Sequence, residues 1–326
     1  MPSTNAAIKL YDFHPVQDDT TEEILEGLRQ EQKRISPKYF YDKRGSRLFD
    51  EITELPEYYP TRTEVAIMRA SIGEMARLIG PRASLIEFGS GSSLKTRILL
   101  ENMEEIAAYV PVEISLEHLM DAARQLSRLY PHIEILPVCA DFTQPFDLPN
   151  PKVMPIRNVV YFPGSTIGNF DPLEAQALLR VMRMEAKKGG ALLIGVDLKK
   201  DPAVLERAYN DAAGVTAAFN LNMLEHLNRE YHADFDLEAF RHRAIYNEAK
   251  GRIEMHLVSI KNQTVTLDGE SVGFAEGEHI VTEHSHKYTR EEFAALAGKA
   301  GFRVEKVWMD PERLFSVQYL ECREEE

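Results

Sequence analysis

The chain has 326 residues, 44% of them hydrophobic and 28% charged, which is length enough for a sizeable buried core in one large domain or two intertwined ones. Its formal charge of -14 leaves no basic footprint for a phosphate backbone, which argues against general nucleic-acid binding and for small-molecule chemistry. Two cysteines, Cys139 and Cys322, support neither a disulfide framework nor a zinc site; Met1 to Phe13 lacks a signal-peptide pattern and no later run is apolar enough to span a bilayer, so a cytoplasmic protein that meets no membrane is expected.

Residues 1–20 mix small, polar and acidic side chains and read as a loosely held arm. Thr21 to Lys33 carries Ile24, Leu25 and Leu28 at helical spacing. The run Ser36 to Ser46 is aromatic and polar together, and a short helix follows through Leu48, Phe49, Ile52 and Leu55. Pro56 to Glu64 brackets Tyr58 and Tyr59 between prolines, a stiff turn able to aim phenols, with half-buried packing as the alternative for each tyrosine. Glu64 to Ile79 is helical again and leads to a first strand, 84–88.

That strand runs into Gly89-Ser90-Gly91-Ser92-Ser93 and then a helix. Glycines at such a turn let the backbone approach a ligand, and the helix start presents free N–H groups. Gly89 and Gly91 match the first two glycines of the dinucleotide fingerprint, but Leu94 replaces the third, which weakens a pyrophosphate reading. S-adenosylmethionine has no phosphate and offers a ribose diol, an adenine and an amino-acid end, so Glu87, an acid ahead of the glycines, is compatible with it.

A second strand, Tyr109 to Ile114, ends near Glu113, placed to accept both ribose hydroxyls. After a helix from His118 to Leu129, a third strand over 133–140 ends in Asp141 and Phe142: a carboxylate for the adenine amino group, or a turn cap, and a ring to pack on the base. A fourth strand, Asn158 to Phe162, opens into Pro163 to Pro172, whose glycines and Asn169 read as a substrate loop. A helix from Pro172 to Lys188 and a fifth strand, Ala191 to Asp197, follow.

Beyond Asp197 the alternation breaks. Pro202 to Leu227 is a long helical stretch or a pair containing Tyr209, a polar helix is expected near Asp236 to Arg241, strand-like segments lie at 253–260 and 264–267, and the section closes on the run His279 to Tyr288. From Thr289 come a helix, Gly301 as its cap, and strands Phe302 to Trp308 and Phe315 to Glu321. These last elements look like the helix and antiparallel hairpin that complete an α/β, Rossmann-like, seven-stranded sheet of the class I methyltransferase type, which is the expected fold class. The expected division is a cofactor domain of 61–200 with 287–326, and a discontinuous α+β substrate domain of 1–60 with 201–286. His284 and His286 alternate with Ser285 on a strand and face the opposite side from it; lacking further partners at metal spacing, they are expected at the surface or behind the site, and no metal is expected.

The runs Tyr41-Asp42-Lys43-Arg44-Gly45-Ser46, Leu55 to Glu64, Gly164-Ser165-Thr166-Ile167-Gly168-Asn169, Tyr209 to Thr216 and Thr282-Glu283-His284-Ser285 together resemble the histidine Nα-methyltransferases of ergothioneine biosynthesis. The resemblance implies that the Gly89 loop and Lys95 lie against the methionine part of S-adenosylmethionine, Glu113 holds the ribose, where the family commonly has Asp, and Asp141 with Phe142 addresses the adenine. It implies that Asn169 and Tyr209 bind the α-carboxylate of L-histidine and Gly164 lines the path to its amine. Tyr58, Glu283 and Ser285 would surround the imidazole, with Tyr41 nearby through water and Met255 beside the ring, unless Met255 is plain core filling. Tyr41, Gly164 and Asn169 form the implied catalytic set, with Tyr41 or water as candidate base, and hercynine is the implied product of a monomeric enzyme. The other readings kept open are an Nα-methyltransferase of another aromatic amino acid or amine, a non-catalytic cofactor-binding module, and a nicotinamide-dependent oxidoreductase.

Overall fold

The computed structural model describes residues 8–13, 20–90 and 94–323. In chain order its elements are β1 (Tyr11–Asp12), α1 (Thr20–Arg29), α2 (Lys43–Thr53), α3 (Tyr59–Ile79), β2 (Ala83–Phe88), α4 (Leu94–Leu100), β3 (Ala108–Glu113) and α5 (Leu116–Leu129). There follow β4 (Val138–Cys139), β5 (Arg157–Phe162), α6 (Pro172–Ala186), β6 (Ala191–Asp197), α7 (Pro202–Tyr209), α8 (Val215–Glu230), β7 (Phe240–Asn247) and β8 (Arg252–Ser259). Last come β9 (Gln263–Leu267), β10 (Glu270–Phe274), β11 (His279–His286), α9 (Arg290–Lys299), β12 (Phe302–Met309) and β13 (Phe315–Cys322).

The large sheet has the order β1-β4-β3-β2-β5-β6-β13-β12. Pairing is parallel from β1 to β6 and antiparallel at β13 and β12. Every residue of β2 and β6 is buried, as expected of strands covered by helices on both faces. The chain runs from β2 outward to β3 and β4, then returns to build β5 and β6 on the other side. The order therefore reverses between β2 and β5, and a ligand crevice opens beyond their carboxyl ends. The glycine turn after β2 and the loop 163–171 after β5 meet there.

A separate apolar core gathers residues between 24 and 59 with residues between 205 and 280, including Phe40, Tyr59, Phe219, Ile253 and Met255. Its wall is the three-stranded antiparallel sheet β11-β8-β7. Helix α3 links the regions: Tyr59 at its start lies in this core, while Met68 and Met75 pack on the large sheet.

Several sequence expectations change. The arm contributes β1, which pairs parallel with β4 and makes the large sheet eight-stranded rather than seven-stranded among the described residues. The third strand shortens to Val138–Cys139 with one outlying bridge, Tyr109 to Ile135, because Pro137 has no N–H to offer the ladder. The turn before α3 is shorter than read, since the helix starts at Tyr59; Pro60 fits the first turn, where an N–H would have no intrahelical partner. The polar helix near 236–241 is a 3-10 turn, Leu237–Ala239, that passes directly into β7.

The stretch 202–227 divides into α7 and α8. Asp211 makes the break stable, accepting from the backbone N–H groups of Val215 (2.9 Å) and Thr216 (2.8 Å) at the start of α8. Burial pushes the Asp211 carboxyl up, and the Thr216 and Val215 donors outweigh it, so the group sits below its ordinary value. Its contribution is present above the unfolded carboxylate range and is lost as pH falls through the lower folded value. Asp211→Ala should lower unfolding free energy by about 1 kcal/mol at pH 7, the usual worth of a helix cap, and the difference from wild type should shrink on acidification; urea midpoints at pH 7 and pH 3 measure both.

Candidate active site

The crevice between β2 and β5 has one wall made by the glycine turn. Gly89 has a φ of +70°, and its N–H donates to the Val112 carbonyl at 2.9 Å. A Cβ there would sit 3.7 Å from the Phe142 ring, which also packs 5.5 Å from the Phe88 ring. Glu113 ends β3 with one oxygen accepting from the N–H groups of Ile114 and Ser115, and burial raises its carboxyl. Asp141 uses one oxygen on the Thr143 backbone and hydroxyl. The hydroxyl of Ser90 is buried and has no partner among the described residues. Gly91, Ser92 and Ser93 lie outside the described residues.

A nucleoside-type cofactor without phosphate suits these groups. An unpartnered buried hydroxyl, an aromatic face and two acids at successive strand ends match amine, base and ribose hydroxyls, and would repel a pyrophosphate. Lys95 stands over the same loop with its ammonium 2.7 Å from Glu64. Glu87 is different from expectation. Its carboxyl points into the core, where one oxygen accepts from Tyr109 (2.5 Å) and Thr96 (2.7 Å). Burial pushes it up to about 7, against the pull of those two hydroxyls. Glu87 therefore pins β3 and α4 to β2, and the acids facing the crevice are Glu113 and Asp141.

Buried Glu64 holds the second wall. Besides Lys95, it accepts from the Gly164 N–H at 2.9 Å. Gly164, at φ +78°, opens the loop. Farther along, Gly168 approaches β11 so closely that a Cβ would meet the His286 carbonyl oxygen at 2.7 Å. The 3-10 turn Thr166–Asn169 thus lies on β11, and among the described residues the Asn169 amide has no side-chain partner, leaving it free to serve a ligand.

Next to this loop, side chains from β11, β8, α7 and α2 converge with Tyr41 and Tyr58. Glu283 and Met255 are register partners on β11 and β8, as are Ser285 and Ile253, so all four share the face turned to the apolar core. Tyr209, at the end of α7, donates to the Ser285 hydroxyl at 2.9 Å. Tyr58 packs 6.2 Å from the Tyr209 ring and 6.4 Å from Phe49, which in turn lies 6.0 Å from Tyr41. Asp42 fixes the Tyr41 segment, capping α2 at Gly45 and accepting from Asn222 and Arg229 of α8. Tyr41 is 47% exposed, its ring beside Phe49 and Phe219, and desolvation with the charges of Glu283 and Glu113 raises its phenol. Burial pushes Glu283 up to about 7, with Lys287 opposing.

Behind these residues is a buried charge cluster that the sequence reading did not single out. Asp197 accepts from Tyr59 (2.8 Å), Lys200 (2.6 Å) and Lys287 (2.7 Å). Burial favours its neutral form, but Lys287 and Lys200 hold its carboxyl below the ordinary value. Lys287 also donates to Ser285 (2.8 Å) and Tyr209 (3.1 Å). Phe49, Glu64 and Tyr59 were likewise missed as site-forming residues. All three sit inside or beside the quoted runs, whereas Asp197 and Lys287 read only as strand ends.

His284 and His286 are not surface residues: they are 6% and 5% exposed. Both face Asp171, the N-cap of α6, at 3.2 Å. Among the described residues these three bring ligand-type atoms within 4.8 Å of one another. The Arg252 guanidinium donates to the same Asp171 oxygen at 2.8 Å, supplying the positive charge that an ion would bring, and burial holds both imidazoles below their ordinary range. The cluster ties the substrate loop to the back of β11, two residues beyond Asn169.

Glu87 gives a pH signature. Its folded form keeps a proton above the unfolded range, so its favourable contribution is complete at low pH and is lost as pH rises from about 4.5 to about 7. Glu87→Gln should remove roughly 3 kcal/mol of that pH dependence, so that the variant gains on wild type between pH 5 and pH 8; equal slopes of stability against pH would contradict the assignment.

A family model described as histidine-specific, S-adenosylmethionine-dependent methyltransferase matches residues 20–322. The chain is 44% identical over 296 residues to the histidine N-alpha-methyltransferase of Mycolicibacterium smegmatis, covering 89% of this chain and 90% of that one. It is 41% identical over 295 residues to the enzyme of that name from Mycobacterium tuberculosis, covering 88% and 90%. Ergothioneine biosynthesis protein 1 of Neurospora crassa is 30% identical over 283 residues, which are 85% of this chain and 32% of that longer protein. With a phosphate-free cofactor crevice opening onto a polar, aromatic pocket, and a match that runs nearly end to end, the chain belongs to the S-adenosylmethionine-dependent, histidine-specific methyltransferase family.

Proposed function

We propose that the protein trimethylates the α-amine of L-histidine to hercynine, in ergothioneine biosynthesis, with the amino acid lodged between a cofactor part, 61–200 with 287–326, and a substrate part, 1–60 with 201–286. The observation that carries this reading is the pairing on one strand face of a half-buried carboxylate, Glu283, with a buried hydroxyl, Ser285, that is 2.9 Å from Tyr209. A neutral imidazole needs one acceptor and one donor. Its nitrogen nearer the α-carbon lies close to the α-carboxylate, so two hydroxyls this near each other can serve both groups. Ser285 then donates to that nitrogen, Tyr209 and Asn169 to the carboxylate, and Glu283 accepts the far N–H. Met255 and Tyr58 close the ring's sides. A phenyl ring would leave Glu283 and Ser285 without partners, at about 1–3 kcal/mol each.

Held in this way, the amine turns toward Gly164 and the crevice of Gly89, Glu113, Asp141 and Phe142. S-adenosylmethionine, when bound there, supplies a sulfonium methyl group that is electrophilic without further activation. The chain contributes orientation, which can account for many orders of magnitude in rate. Glu64 keeps Gly164 and Lys95 in place, and the missing side chain at Gly164 leaves room for methyl groups as they accumulate. Because burial and Glu283 keep the Tyr41 phenol protonated at neutral pH, Tyr41 serves as a hydrogen-bond relay and the ammonium loses its proton to water before each round.

Incubated with S-adenosylmethionine and histidine, tryptophan, tyrosine or phenylalanine in turn, the protein should add up to three methyl groups to histidine alone, read from product masses; methylation of another amino acid and not of histidine would overturn the reading. Glu283→Ala should reduce kcat/KM for histidine by about 10- to 100-fold, the range for losing a hydrogen bond to a charged group, and narrow the preference over phenylalanine; unchanged kinetics would remove Glu283 from the pocket.

A further inference from the structure

We propose that Lys287 is a positioning residue that sets the hydrogen-bond polarity of the ring pocket, holding the Ser285 and Tyr209 oxygens from behind so that their protons are turned to the substrate. This inference rests on the histidine reading above and deepens it.

An ammonium has three N–H donors and no acceptor. Lys287 has three oxygen partners, Asp197 at 2.7 Å, Ser285 at 2.8 Å and Tyr209 at 3.1 Å. It can only donate to the two hydroxyls, so each oxygen has one lone pair engaged from behind. In the absence of substrate the Tyr209 proton goes to Ser285. The Ser285 oxygen then accepts from both neighbours, and its own proton is left for the pocket. A substrate with two acceptors, a carboxylate and a ring nitrogen beside the side chain, can draw out both protons while Lys287 keeps both oxygens.

The same geometry disfavours the opposite polarity. A ring with an N–H at that position, or an imidazolium, would have to use the one lone pair that the ammonium, 2.8 Å away, leaves on the Ser285 oxygen, and the Ser285 proton would then have no ring nitrogen to meet. The charge balance points the same way. Lys200 and Lys287 share Asp197, so two ammonium groups face one carboxylate, and the surplus positive charge lies under a pocket built for Glu283 and a carboxylate ligand. Lys287 is fully enclosed and reaches the ligand only through the two hydroxyls, which makes its role one of direction and not contact.

The test uses two near-isosteric ring analogues, 3-(2-pyridyl)alanine, which has a lone pair next to the side chain, and phenylalanine, which has none. Inhibition of histidine methylation gives their relative affinities for wild type and Lys287→Met, with S-adenosylhomocysteine binding measured by calorimetry on both. Wild type should favour the pyridyl compound about three- to tenfold, the worth of one neutral hydrogen bond. In Lys287→Met that ratio should fall toward one while the cofactor product still binds; a purely structural lysine would weaken both analogues alike and leave the ratio intact, which would overturn the proposal. If Lys287→Met does not fold, Lys287→Gln, whose shorter side chain carries an uncharged amide with two N–H donors in place of three, should give a reduced ratio, and an unchanged one counts against the proposal equally. Wild-type protein that methylates no histidine would defeat the functional reading itself, whereas histidine methylation with an unaltered ratio in the variants would defeat only the role of Lys287.

Discussion

Asp197 is the joint on which the site depends. It is the last residue of a parallel strand in the large sheet, where ligands are met, and every polar group it has is engaged by a different part of the molecule. Its N–H donates to the Ser165 hydroxyl of the substrate loop, its carbonyl accepts from Tyr288 just past β11, and its carboxylate takes Tyr59, Lys200 and Lys287. A carboxylate this deep would cost several kcal/mol without such partners. With them it fixes three elements at once: the start of α3, the loop that carries Asn169, and the strand that carries Glu283 and Ser285. The distance between cofactor crevice and substrate pocket follows from that junction, and methyl transfer is a matter of distance and angle.

The acidic residues around the site divide by what surrounds them. Glu87 and Glu64 are enclosed and hold neighbouring elements: Glu87 by hydroxyls from β3 and α4, Glu64 by Lys95 and the Gly164 amide. Glu113 and Asp141 each engage one oxygen in a local turn and end strands at the crevice. Glu283 is half-buried on β11, its carboxyl is raised toward neutrality by desolvation, and it is paired with no donor among the described residues. An acceptor in that state gains when a ligand supplies the donor, and the proposed selectivity for a ring with an N–H rests on this.

Much of this was legible in the sequence because it depends on local pattern. The apolar run before Gly89, the acid at the end of Val110-Pro111-Val112-Glu113 and the break after Asp197 each follow from periodicity, turn chemistry and the alternation of strand with helix. Glu87 was misjudged because nothing local reveals whether an acid at a strand end faces a crevice or the core; the Tyr109 hydroxyl, 22 residues away, decides it. For His284 and His286 the sequence leaves two places open, the surface or behind the site, for a similar reason: their alternation with Ser285 fixes which side they face, but Asp171 and Arg252, which cover that side, come from distant parts of the chain. Strand β7 escaped notice because Arg241, His242 and Arg243 hide its alternation, and it is recognisable only once β8 is beside it. Lys287 and Asp197 show the same limit, since a single lysine and a single aspartate gain meaning only when packing brings them to 2.7 Å.

The most direct measurement is a crystal structure of the protein with S-adenosylhomocysteine and histidine together. The account requires the imidazole between Glu283 and Ser285, the carboxylate at Asn169 and Tyr209, and the amine beside Gly164 with an open line to the sulfur. A ring nitrogen directed at the sulfur instead, or histidine bound away from β11, would contradict it.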